Sequence, residues 1–117
     1  AMDMVGHTGS LQATEIAVEA VDLCLDRILR ACDEHGCILV VTADHGNCEQ
    51  MLEKNKEGEI TVRTAHTVNP VSFIIHDRDA RHELDTESPF GLANVAATIA
   101  DLLGVTPYDS WEKTMLK

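Results

Sequence analysis

The chain has 117 residues, about one domain at most, with a core of useful size within reach. Twenty acidic residues stand against nine basic ones, for a formal net charge of −11. That balance argues against nucleic acid and against an anionic membrane surface, and it suits a phosphate substrate only where metals and other residues supply positive charge. No apolar stretch approaches the ~20 residues that span a bilayer, and no signal peptide is visible.

The first element is Asp3-Met4-Val5-Gly6-His7. Coiled as a helix, it brings a carboxylate and an imidazole to one side, as i and i+4 positions do. From Leu11 to about Glu34, Ala17, Val21, Cys24, Leu25, Ile28 and Cys32 recur at helical spacing, opposite a charged stripe that includes Glu15, Glu19 and Asp26. Gly36 is the expected C-terminal stop, and the helix is expected to cover a sheet.

Next comes Ile38-Leu39-Val40-Val41, a continuous apolar run that reads as a fully buried strand of a parallel sheet, with Cys37 at its start. It leads into Thr42-Ala43-Asp44-His45-Gly46-Asn47. Ligands of open α/β folds gather past the carboxyl ends of such strands. Neighbours within a strand point to opposite faces, so Asp44 and His45 share a site only past its end, where Gly46 permits a sharp turn.

The polar stretch from Gln50 to Arg63 reads as an exposed loop or hairpin. Thr64-Ala65-His66-Thr67-Val68-Asn69-Pro70 then leads into Val71–Ile75, expected to be a second buried strand introduced by Pro70. His76 and His82 belong to no motif and are placed at the surface. Leu92, Val95, Ala96, Ile99, Leu102 and Leu103 form a last amphipathic helix, stopped by Gly104. Helices alternating with strands point to an α/β layer fold.

Asp3, His7, Asp44, His45 and His66 thus form a candidate metal-ligand set. Any one histidine is more often a packing or surface residue; the convergence of several at element ends favours a site. Carboxylate and imidazole without thiolate suit manganese, zinc or iron, and binding weakens in acid as imidazoles take up protons. The four cysteines lack paired zinc-type spacing, and Cys48, nearest the ligands, reads as a free thiol. Reduced thiols imply a cytoplasmic setting.

The strings Asp-Met-Val-Gly-His-Thr-Gly (3–9), Thr-Ala-Asp-His-Gly-Asn (42–47) and Thr-Ala-His-Thr-Val-Asn-Pro-Val (64–71) resemble the cofactor-independent (2,3-bisphosphoglycerate-independent) phosphoglycerate mutases of the alkaline phosphatase superfamily. The resemblance covers nearly the whole chain. It departs at Asn94 and Ala97, where the family usually has Asp and Pro, and in the tail from Trp111.

That resemblance implies part of an alkaline phosphatase-like α/β/α sandwich with a mainly parallel sheet, residues 1–117 being the C-terminal part of the metal-binding domain. It implies two divalent ions, manganese first, with zinc, magnesium or cobalt as alternatives. Asp3, His7 and His66 would hold one ion, and Asp44 and His45 half of the other's set. The family's nucleophilic serine, its partner aspartate and the inserted transferase domain have no counterpart here, so the chain reads as a fragment, inactive alone and prone to self-association through exposed sheet surface. The complete enzyme interconverts 3-phosphoglycerate and 2-phosphoglycerate through a phosphoserine. The alternatives are another superfamily enzyme, such as a phosphopentomutase or a phosphatase, and a non-catalytic module that binds metal or a partner. Gly46-Asn47 and His66 to Pro70 favour the glycolytic mutase.

Overall fold

A computed structural model describes residues 2–117, which divide into two compact units, 2–76 and 77–117. In the first, helix α1 (Met2–Gly6) and the long helix α2 (Leu11–His35) precede strands β1 (Leu39–Thr42), β2 (Leu52–Lys54), β3 (Ile60–Val62) and β4 (Phe73–His76). The second carries a 3₁₀ turn (Leu92–Asn94) that runs into helix α3 (Val95–Leu102).

Local chemistry sets the ends of α2, Gly36 among them as the sequence suggests. The hydroxyl of Ser10 accepts from the Ala13 N–H at the start of α2, satisfying one of the helix's free donors. Gly36 closes it with φ +66°, a left-handed conformation that a side chain would strain, while its N–H donates to the Cys32 carbonyl. In α1 the His7 N–H donates to the Asp3 carbonyl at 3.2 Å, so the two side chains stack on one side as the i, i+4 spacing requires. The stretch 50–63 is a hairpin, β2 against β3, turned by Asn55 and Gly58 (φ +84°).

The sheet corrects one expectation. β1 pairs with β4 antiparallel, Leu39 opposite His76 and Thr42 opposite Phe73, and both ladders among the described residues are antiparallel. The strands are half-buried rather than buried: Ile74 is 53 % exposed, and Cys37 lies exposed ahead of β1. An apolar run reports a strand that wants burial on both faces; it does not report which neighbours supply it. The expected inner stripe of α2 is open for the same reason, with Val21 40 % and Ile28 50 % exposed, and Thr14 is the one buried residue of that helix. The most buried positions of this unit are instead Gly6, Thr14, Gly46, Asn47, Met51 and Thr67, which surround the candidate ligands or the floor beneath them.

His76 belongs to β4 and meets Asp33 of α2 at 2.7 Å. His82, in the second unit, meets Asp77 at 2.7 Å. Neither is a bare surface residue, because each finds a carboxylate. In the second unit Thr98 is fully buried, its hydroxyl donating to the Asn94 carbonyl at 2.8 Å and accepting from the Met115 N–H at 2.9 Å. Asn94 accepts from the Gly91 N–H and donates to the Lys113 carbonyl at 2.9 Å, the second bond being one an aspartate could not make.

Candidate metal centre

Three segments far apart in sequence converge on Asp3. Its Oδ1 lies 3.0 Å from His66 Nε2, 3.3 Å from His7 Nε2 and 3.8 Å from His45 Nε2. The Nε2 atoms of His7 and His66 are 3.0 Å apart. The rings of His45 and His66 stack, with centroids 3.6 Å apart and planes 18° from parallel. Asp44 sits at the rim, its side chain 90 % exposed and Oδ1 3.6 Å from His45 Nε2.

The structure brings Asp3, His7, His45 and His66 together, with Asp44 beside His45 at the rim. Donor atoms of Asp3, His45 and His66 lie within 4.8 Å of one another, and His45 Nε2 is also 3.6 Å from Asp44 Oδ1, so His45 stands between the two. Asp3 is the hub. A cleft of about 540 Å³ opens beside it, lined in part by Val21, Val41, Asp44, His45 and Val71.

Backbone carbonyls orient the imidazoles. His7 Nδ1 bonds the Thr64 carbonyl, and His45 Nδ1 meets the Gly46 carbonyl at 3.2 Å. A carbonyl only accepts, so Nδ1 carries the proton in each ring and Nε2 is left as a lone pair aimed at the cluster. This is the arrangement by which outer partners fix metal-binding histidines. A proton on His66 Nε2 could serve either the His7 lone pair or the Asp3 oxygen, not both well. A divalent cation serves all of them. Metal–nitrogen and metal–oxygen bonds of about 2.0–2.2 Å place the ligand atoms of one ion roughly 3–3.5 Å apart. The His7, His66 and Asp3 donor atoms, at 3.0 to 3.3 Å, meet that spacing. The donor set fits a divalent metal.

Two residues outside the predicted set complete the surroundings. The buried Asn47 amide donates to Asp3 Oδ1 at 3.0 Å. Desolvation pushes the Asp3 carboxyl upward, but the bonds from Asn47 and His66 and the nearby imidazoles outweigh it and hold the group below its ordinary range. Glu49 accepts from the Thr67 hydroxyl, from the Asn69 amide at 3.0 Å and from the Asn47 N–H at 2.6 Å. The Thr67 bond leads the effects that, against desolvation, bring its carboxyl down to about 2. Asn47 stands in the Thr-Ala-Asp-His-Gly-Asn string, yet its bond spans 44 positions, and Glu49 carries no sequence signal beyond being an acid in a turn.

Burial holds the Cys48 thiol above its ordinary range, helped by the charges of Glu49 and Asp3. Thr8 and Thr67 use their hydroxyls on the Val5 carbonyl and on Glu49, turn and bracing roles that leave neither poised as a nucleophile.

Comparison with known proteins agrees with this chemistry. The model of the Metalloenzyme superfamily matches residues 1–107. A probable 2,3-bisphosphoglycerate-independent phosphoglycerate mutase of Leptospira interrogans is 37% identical over 124 residues, covering 98% of this chain and 23% of that protein. The 2,3-bisphosphoglycerate-independent phosphoglycerate mutase 1 of Arabidopsis thaliana is 41% identical, with 98% of this chain and 23% of the relative covered. That of Myxococcus xanthus is 45% identical over 88% of this chain and 19% of its own length. A crystal structure of Leishmania mexicana phosphoglycerate mutase at low cobalt concentration superposes with a TM-score of 0.90 at 38% identity, over 99% of this chain and 23% of that one. The chain spans about a quarter or less of the length of these relatives. With an α/β fold and a carboxylate–imidazole cluster of metal-binding geometry, it belongs to the Metalloenzyme superfamily.

Proposed function

We propose that these residues are the metal-binding part of a cofactor-independent phosphoglycerate mutase, the C-terminal portion of its phosphatase-like domain. In this reading the whole enzyme interconverts 3-phosphoglycerate and 2-phosphoglycerate in glycolysis through a phosphoserine. The supporting observation is the convergence of Asp3, His7, His45 and His66 from three segments, with two imidazoles fixed by backbone carbonyls. The relatives that match along these segments are named as such mutases. Two divalent ions, manganese foremost, would supply Lewis acidity toward a hydroxyl nucleophile and the phosphoryl oxygens.

The chain's own residues then have separable tasks. Asp3 supplies the central negative charge, and Asn47 keeps that carboxylate turned toward the imidazoles. His7 and His45 present neutral Nε2 lone pairs because their Nδ1 protons are held by carbonyls. Asp44, open at the rim, faces the side from which a further ion and the substrate's phosphate would arrive. Four free cysteines fit a cytoplasmic setting, and no helix among the described residues is long and apolar enough to cross a membrane.

The test is an assay of the complete protein with manganese and 3-phosphoglycerate, scored by formation of 2-phosphoglycerate. Turnover is expected, with a loss of at least about 10³-fold on replacing Asp44 and His45 together by alanine. The 117-residue chain alone is expected to be inactive. Phosphatase or phosphopentomutase turnover in place of mutase turnover would overturn the reading.

The isolated chain should also self-associate through exposed sheet surface. Ile74 on β4 and Ile28 on α2 lie at least half open, while the net charge of −11 opposes association. Salt screens that repulsion beyond about 10 Å at 0.1 M, so association should grow as salt rises. Sedimentation at low and high salt reads this directly. A monomer at both, with no binding of a hydrophobic dye, would show that the chain closes its own surface.

A further inference from the structure

We propose that Glu49 is the positioning residue of this site: its carboxylate fixes the spacing between the loop that carries His45 and the loop that carries His66, and thereby sets the affinity for a divalent cation. The inference rests on reading the cluster as a metal centre.

Glu49 reaches none of the donor atoms through a hydrogen bond of its own. Two of its three partners, Thr67 and Asn47, are instead one step removed from a ligand. Oε1 takes the Thr67 hydroxyl, on the residue after His66, and the Asn69 amide at 3.0 Å. Oε2 takes the Asn47 N–H at 2.6 Å, two residues after His45, and the side chain of the same Asn47 holds Asp3 Oδ1 at 3.0 Å. One carboxylate therefore gathers the segments that bear Asp3, His45 and His66.

Without it, the two loops are tethered at their ends by the β1–β4 and β2–β3 ladders and joined between them by the Asn69 amide on Gln50 Oε1 at 3.2 Å and by one isolated bridge, Gly46 with Thr67, in which the Thr67 N–H donates to the Gly46 carbonyl at 2.8 Å. Between those tethers the bridge is the one backbone link, a pivot about which the loop middles keep some freedom. The added bonds on either side of that pivot remove the freedom. The stacked rings of His45 and His66 sit across the same gap, so a pivot there changes the separation of their Nε2 atoms.

The chemistry calls for a carboxylate. Three N–H or O–H donors point at two oxygens, and a carboxylate accepts them all. A glutamine has one accepting oxygen, so its amide nitrogen would face at least one of these donors. Glu49 stands outside the group of clustered donor atoms, and its oxygens are engaged by Thr67, Asn69 and Asn47.

The experiment is calorimetric titration of the purified protein with manganese, in wild type and variants. Glu49→Gln is expected to weaken manganese binding by about 10- to 100-fold, the range seen when outer partners of metal ligands are removed. Thr67→Val should weaken it similarly, Thr67→Ser should retain wild-type affinity, and the double variant Glu49→Gln/Thr67→Val should be no weaker than Glu49→Gln, because both act through one link. In the metal-free protein, ring ¹⁵N resonances of His45 and His66 should move in Glu49→Gln while those of His82 stay. Should Glu49→Gln fail to fold, the Thr67→Val and Thr67→Ser pair carries the same comparison. A lowered melting temperature with unchanged manganese affinity would overturn the inference and leave the metal centre standing. A wild-type protein that binds none of manganese, zinc or cobalt would remove the metal centre and this inference with it.

Discussion

Manganese affinity falls by at least about 100-fold when Asp3 is replaced by asparagine, beyond the loss expected from an outer partner. Asp3 Oδ1 lies within 4 Å of every imidazole of the cluster, at 3.0, 3.3 and 3.8 Å from the three Nε2 atoms. It brings the negative charge that the neutral rings lack. Asparagine keeps the shape, and its carbonyl can still accept from Asn47, so the protein should remain folded while the charge is lost. Calorimetric titration with manganese reads the affinity, and circular dichroism of the metal-free variant reads the fold. An affinity within about threefold of wild type would mean that the ion is not held at Asp3, and would point to the Asp44 rim instead.

The second large effect is structural. Gly46→Ala should cost on the order of 2 kcal/mol, as overpacking at a rigid site does. A methyl group there would overlap Thr67 Oγ1 and Glu49 Oε1, which lie against the glycine in the bridged loops. Glu49 can swing aside, but only by releasing its bonds to Thr67 and Asn69; Thr67 is buried and has little room. Urea denaturation gives the comparison, with Gly91→Ala as the control, since nothing lies within 4 Å of a side chain added there. Equal stability of the two variants would show that the bridged loops yield freely. Gly6 carries a parallel constraint, because a methyl group there would run into the Asn47 amide that holds Asp3.

Much of this arrangement was written in local spacing. The four-residue step from Asp3 to His7, the glycine at 36 and the polar stretch of the hairpin each act within a few positions, and each behaves as its chemistry dictates. The apolar run before Asp44 announced a strand and the change of direction after it. What spacing cannot carry is partnership across the chain. Asn47 on Asp3 and Glu49 on Thr67 join residues 44 and 18 positions apart, and an amide or a carboxylate in a turn looks the same with or without such a partner. The antiparallel pairing of β1 with β4 was hidden for the same reason, since hydrophobicity names a face and not the neighbour that covers it.

The distribution of burial in residues 2–76 has a calorimetric meaning. Apart from Met51 and the glycines, what is most buried there is polar: Thr14, Asn47 and Thr67, most of it gathered beneath the ligands. The heat-capacity increment of unfolding grows with apolar area exposed and shrinks with polar area exposed. This segment on its own should therefore unfold with a low increment per residue and a flat dependence of stability on temperature. Its order comes from directed bonds around a cluster of charge, so a bound cation would contribute to its folding free energy in the way a core contributes to an ordinary domain.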